Sequence, residues 1–160
     1  MLNEFATATK MFSTNTDILE RTINGVPAEK WLAQPGDDSN HLLWITGHVV
    51  VHRAMVLKTL GAEWSAPWEK LFSRGEKRVA ADQYPPAAEI QSAWKEVSEK
   101  LTAALANASP DALNSPAAKG VPTLDGTVGG TISLLCLHET YHLGQMGYLR
   151  KWLGFGQGVG

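Results

Sequence analysis

Cysteine is almost missing from this chain: Cys136 stands alone among 160 residues, so no intrachain disulfide can form. That fits a reducing cytosol, where thiols stay free. A dominant charge is missing too. Fourteen basic side chains against sixteen acidic ones give a formal net charge of −2. Like charges do not gather into blocks, so the electrostatics offer nothing to a nucleic-acid partner. No apolar run approaches the length of a bilayer crossing, and the opening MLNEFATATKMF has no basic stretch leading into an apolar one. Neither a membrane anchor nor a secretory leader is expected. Strand-like alternation never continues beyond four residues. What is left is the expectation of a cytoplasmic, all-α protein. A hydrophobic fraction of 44% over 160 residues suffices for one domain spanning 1–160 with a real core.

Helical periodicity is plentiful. Asn3 can cap a first helix to about Asn24, with Phe5, Phe12, Leu19 and Ile23 as its buried stripe and Gly25 and Pro27 ending it. The connector Pro27 to Asn40 is rich in turn formers. A second helix runs from about Asn40 to Leu60, with Gly61 beyond its end. There His41, Ile45, His48, His52, Met55 and Thr59 recur at steps of four and three, one stripe that should face the interior. The long connector Ala62 to Pro85 carries Trp64, Trp68, Leu71 and Phe72, too apolar for an idle loop, and should pack over one end of the bundle. Pro86 opens a third helix to about Ala108, with Ile90, Trp94, Val97, Leu101 and Leu105 as its core stripe and Glu96 and Lys100 paired outside. After a punctuated stretch from Ser109 to Gly126, Thr127 caps the last helix, which continues to about Gly154. Four amphipathic helices joined by long crossovers predict a four-helix bundle.

The last helix carries the chemistry. His138 and His142 are one turn apart, so both imidazoles can reach one point. Two neutral imidazoles converging suit a divalent transition metal. HETYH also fits the H-E-x-x-H pattern of zinc peptidases, with Glu139 as general base. After His142, however, no further His, Asp or Glu follows, so a third protein ligand must come from upstream. The second helix can offer His48. Its neighbour one turn on, His52, is a further candidate as ligand, supporting partner or proton shuttle, whereas His41 belongs to the helix start. Gln145, three residues past His142, can orient a bound water or a ligand imidazole. Arg53 can meet a substrate anion. Cys136 is about 200° around the helix from His138 and reads as a small buried residue.

Three regions carry a resemblance: NHLLW and GHVVVH between Asn40 and His52, the WEKLF connector, and HETYHLGQMGYLRKWLG from His138 to Gly154. In order and placement they are similar to the DinB-like (DinB/YfiT) family. The resemblance implies a four-helix bundle with a divalent metal on three histidines, which by position are His48, His138 and His142. It further implies nickel or zinc as first choices, with iron or manganese as alternatives, and a homodimer. It also implies thiol-dependent transfer or isomerisation of a small molecule, and the leading expectation is a metal-dependent enzyme whose metal activates a low-molecular-weight thiol or water for transfer or hydrolysis. A non-catalytic metal-binding or stress-related module is the competing expectation, and an H-E-x-x-H peptidase a more distant one.

Overall fold

The computed structural model describes residues 4–158, so the expected cap at Asn3 lies outside the described residues. Its helices are α1 (Glu4–Ile23), α2 (Leu42–Thr59), α3 (Ala87–Asn107), α4 (Pro110–Asn114) and α5 (Val128–Trp152), and single 3-10 turns punctuate the connectors. No strand occurs among the described residues. No described helix is long and apolar enough to cross a membrane.

α2 packs against both α3 and α5, and α1 packs against α5 and α3. The four long helices therefore form a ring in which α1 faces α2 across one diagonal and α3 faces α5 across the other. The connections from α1 to α2 and from α3 to α5 cross the bundle, which explains their length. α2 and α5, the two histidine-bearing helices, become neighbours.

The core follows the stripes. Phe12 and Leu19 of α1 are buried, as are Ile90, Trp94, Val97, Leu101 and Leu105 of α3. At the outer face of α3, Glu96 and Lys100 pair at 3.8 Å, an exposed contact worth a few tenths of a kcal/mol. The α2 expectation needs correcting. Met55, placed on the inward stripe, is 41% exposed, while Leu42, Thr46, Val49, Arg53, Val56 and Leu57 are buried. The histidine stripe follows a 3.5-residue period, and a straight helix drifts about 20° per heptad away from it. That drift is small beside the spread of the buried side chains, which lie on nearly every side of α2, so the histidine stripe does not mark one inward face.

The Ala62 to Pro85 connector is a strap over α2. Phe72 is fully buried and Trp68 nearly so, the two rings meeting edge to face at 5.3 Å. The strap reaches α2 only because position 47 is glycine: a Cβ there would lie 2.4 Å from the Phe72 ring. Trp68 is pinned in turn by its indole N–H, which donates to Glu89 of α3 at 2.7 Å. The Ser109 to Gly126 stretch holds the short α4, which sequence periodicity does not reveal in five residues; Ser109 caps it through the Ala112 amide. Thr127 caps α5 as expected, accepting from the Gly130 amide at 2.9 Å.

Candidate metal centre

His48 leaves α2 toward α5 and is 3% exposed. Its Nδ1–H donates to the Phe72 carbonyl at 2.6 Å, so Nε2 is the nitrogen left with a free lone pair. The Trp44 ring stacks on it at 4.5 Å and fixes its plane. On α5, His142 Nδ1–H donates to the Gln145 amide oxygen at 2.7 Å, which again leaves Nε2 free. That Nε2 lies 3.1 Å from Nε2 of His138. One ligand atom from each of His48, His138 and His142 can be chosen so that all lie within 4.8 Å of one another.

These features fit a metal. Two nitrogens each about 2.1 Å from one ion stand about 3.0 to 3.4 Å apart for angles between right and tetrahedral. A metal-binding imidazole characteristically donates its other N–H to a carbonyl or carboxylate, and His48 and His142 both donate to carbonyl oxygens. His138 differs: its Nδ1 is buried with no partner. Burial, seconded by the neighbouring imidazoles, holds His48 down at about 3. Burial, then His52 and His142, then Arg74, hold His138 at about 4. His142 is lowered by burial against the opposing effect of Gln145. All three therefore favour the neutral imidazole at pH 7, the form that can bind a metal. An all-imidazole donor set suits zinc, nickel, copper or iron, and three protein ligands leave positions open.

His52 lies against this set. Its Nδ1–H donates to the His48 carbonyl at 2.8 Å, and its ring stacks on His138 at 4.1 Å. His41 takes the place read from the sequence: it caps α2, its Nδ1 accepting from the Trp44 amide at 3.0 Å. Cys136 is buried, and burial, with the Glu139 charge adding to it, pushes its thiol up to about 12.

Two side chains read from the sequence as candidates for the site are engaged with each other. Glu139 was a candidate general base, yet it is 1% exposed, and both carboxylate oxygens accept from Arg53, each at 2.8 Å. One residue beyond His138, it is turned about 100° around the helix, into the bundle centre. The peptidase reading needs that carboxylate beside the metal, and here it is bound to Arg53 instead. Arg53, expected to meet a substrate anion, is spent internally. Besides Glu139 it donates to Thr16 at 2.9 Å, to Ser98 at 2.6 Å and to the Phe12 carbonyl at 3.1 Å. Its guanidinium carbon sits 3.8 Å from the Trp94 ring centroid.

Sequence reasoning missed the Phe72 carbonyl, because a backbone acceptor has no residue signature. It also missed Trp44 as a stacking partner, although its place one turn before His48 was a usable signal. Beside Gln145 a groove of about 510 Å³ opens, walled by Ile45, Asn40, Tyr141 and Tyr148. The Gln145 amide nitrogen donates to the Tyr141 hydroxyl at 3.3 Å, so one amide joins the His142 ring to the groove wall.

A helical bundle whose adjacent helices bring three imidazoles together has the arrangement in which a divalent metal can be held between facing helices. The chain is a member of the DinB superfamily, whose sequence profile matches residues 11–146. That span includes His48, His138 and His142. No curated protein matches the chain.

Proposed function

We propose that the protein is a metal-dependent enzyme in which His48, His138 and His142 hold one divalent ion, nickel or zinc first, for transfer or hydrolysis on a small molecule. The observation that carries this reading is the pair of Nδ1 contacts, to the Phe72 carbonyl and to the Gln145 amide oxygen. Phe72 and Gln145 hold His48 and His142 with Nε2 facing the cluster, an orientation that a surface histidine has no reason to keep. A divalent ion bound there would lower the pKa of a bound water or low-molecular-weight thiol far enough to supply a nucleophile near neutral pH. Gln145 acts as a positioning residue for His142. His52, stacked on His138, shields the cluster and offers a further nitrogen beside it. The same reading has the protein working in the cytoplasm as one domain and as a homodimer, for which the exposed Leu137, Tyr141 and Tyr148 on α5 provide apolar surface.

The test is elemental analysis of purified protein, wild type against a variant with His48, His138 and His142 all replaced by alanine. Wild type should hold about one ion per chain, the stoichiometry of one three-imidazole set. A variant that kept its full metal content would defeat the assignment. A second reading, a closed non-catalytic centre, draws on His52 as a fourth imidazole. It predicts that His52→Ala weakens metal binding as much as His48→Ala does.

A further inference from the structure

The groove beside Gln145 is joined to the histidine cluster along two helices at once. Gln145 lies one turn past His142 on α5, Ile45 lies one turn before His48 on α2, and both line the groove. Its near end therefore stands one helical turn, about 5.4 Å along the bundle, from the imidazoles. Contact is direct as well. The Gln145 amide oxygen accepts from the His142 Nδ1–H at 2.7 Å, and the ring of Tyr141, also in the groove wall, meets the His142 ring at 5.3 Å. At about 510 Å³ the space suits a small organic molecule. Gly144 keeps it open, since a Cβ there would meet nothing within 4 Å. The lining also sets a sign of charge. Among the described residues that wall the groove there is no Lys or Arg, and the one charged side chain is Asp38, in the connector ahead of α2. Asp38 is exposed, and the ion pairs among the described residues, Arg53–Glu139 and Glu96–Lys100, do not include it. Arg78 reaches the same connector but is engaged by Gln34 and the Asp37 carbonyl. Asn40, also in the lining, adds an amide oxygen as a second acceptor.

We propose that this groove is the substrate pocket of the metal centre and that it takes small primary amines, with the ammonium group at Asp38, an apolar body against Ile45 and Tyr141, and the other end toward His142. The proposal rests on the metal reading above and adds the substrate class. An ammonium carries three donors and no acceptor, which matches a carboxylate and an amide oxygen with no competing cation. The face of a tyrosine ring attracts a cation rather than repelling it. An acid of the same shape would bring a second negative charge toward Asp38 with nothing to offset it.

Three probes that share a phenyl ring and differ in charge provide a test that needs no turnover. Phenethylamine, 2-phenylethanol and 3-phenylpropionate are titrated separately into protein supplied with zinc, and binding is read from the amide NMR shifts of Gly144 and Gln145. The amine should bind about fivefold more tightly than the alcohol, the upper value of an exposed ion pair, and the acid more weakly than either. Asp38→Asn should bring the amine to the level of the alcohol and leave the alcohol unchanged. Asp37→Asn, next in sequence but outside the lining, should change none of the three, and Gly144→Leu, which fills the open space, should weaken all of them. Equal binding of the three probes, an amine preference that survives Asp38→Asn, or no shift at Gly144 and Gln145 overturns the proposal. Zinc content is measured alongside. Protein that holds zinc but shows no amine preference loses the pocket assignment and keeps the metal reading; protein that shows the preference but holds no zinc loses the metal reading, and with it the tie between pocket and metal.

Discussion

Arg53 joins all four long helices at one atom cluster: Thr16 and the Phe12 carbonyl from α1, Ser98 and the Trp94 ring from α3, and Glu139 from α5. Every donor on its guanidinium faces an acceptor or an aromatic face, which is what keeps a fully buried charge tolerable. Removing one partner is the costly change. Glu139→Gln should destabilise the protein by about 3 to 5 kcal/mol in urea denaturation, whereas Arg53→Met combined with Glu139→Leu should recover most of that. A loss under about 1 kcal/mol for Glu139→Gln would mean the pair behaves as a solvated one. Gln145 invites a milder test. With its amide oxygen gone, His142 loses the acceptor that fixes its tautomer, so Gln145→Leu should weaken metal binding about 10- to 100-fold in chelator competition. At this scale the sequence was legible for identity and spacing, and opaque for partners. His48, His138 and His142 announce themselves by residue type on two helices. Arg53 and Glu139 are 86 positions apart, and nothing local says that each neutralises the other, so Glu139 was read as a candidate general base and Arg53 as a contact for a substrate anion.

The strap is the element that turns a pair of packed helices into a site. It covers α2 and supplies the Phe72 carbonyl to His48, and both depend on the close approach at Gly47. Gly47→Ala would place a methyl 2.4 Å from the Phe72 ring, so the ring must move and its carbonyl with it. The expected result is about 1 to 3 kcal/mol of destabilisation, as for overpacked cores generally, together with weaker metal binding in chelator competition. A variant with unchanged affinity would separate the strap from the metal centre. Elements with long apolar stripes were readable because burial and periodicity agree, as on α3 with Ile90, Trp94, Val97, Leu101 and Leu105. α2 was readable in extent but not in orientation. It is apolar nearly all round, so no stripe dominates, and the histidine spacing pointed along a heptad that the helix itself does not follow. α4 is too short for any period to show, and the strap's apolar residues betrayed contact without saying with what.

Across the whole molecule, folding and metal binding are linked through the same protons. Buried and half-buried histidines are held neutral in the native protein: His48 at about 3, His138 and His41 at about 4, against about 6.5 in an unfolded chain. Between those values the unfolded chain binds protons that the native one refuses, so stability rises with pH across that window. It is fully present above about 6.5 and is lost as pH falls toward the native values. The melting temperature of metal-free protein should accordingly be flat above neutrality and decline from about pH 6.5 toward pH 4. Metal binding should respond to acid differently. In the folded protein protons compete for the imidazoles only near the lowered values, so affinity measured by chelator competition should change little between pH 7 and pH 5. Three solvated histidines would behave otherwise: each would be largely protonated at pH 5, and affinity would fall steeply through about 6.5. A midpoint there would mean that the imidazoles are brought together by the ion itself. A flat profile would mean that the bundle assembles them first, with Phe72 and Gln145 already holding two of the three rings in the orientation the ion needs.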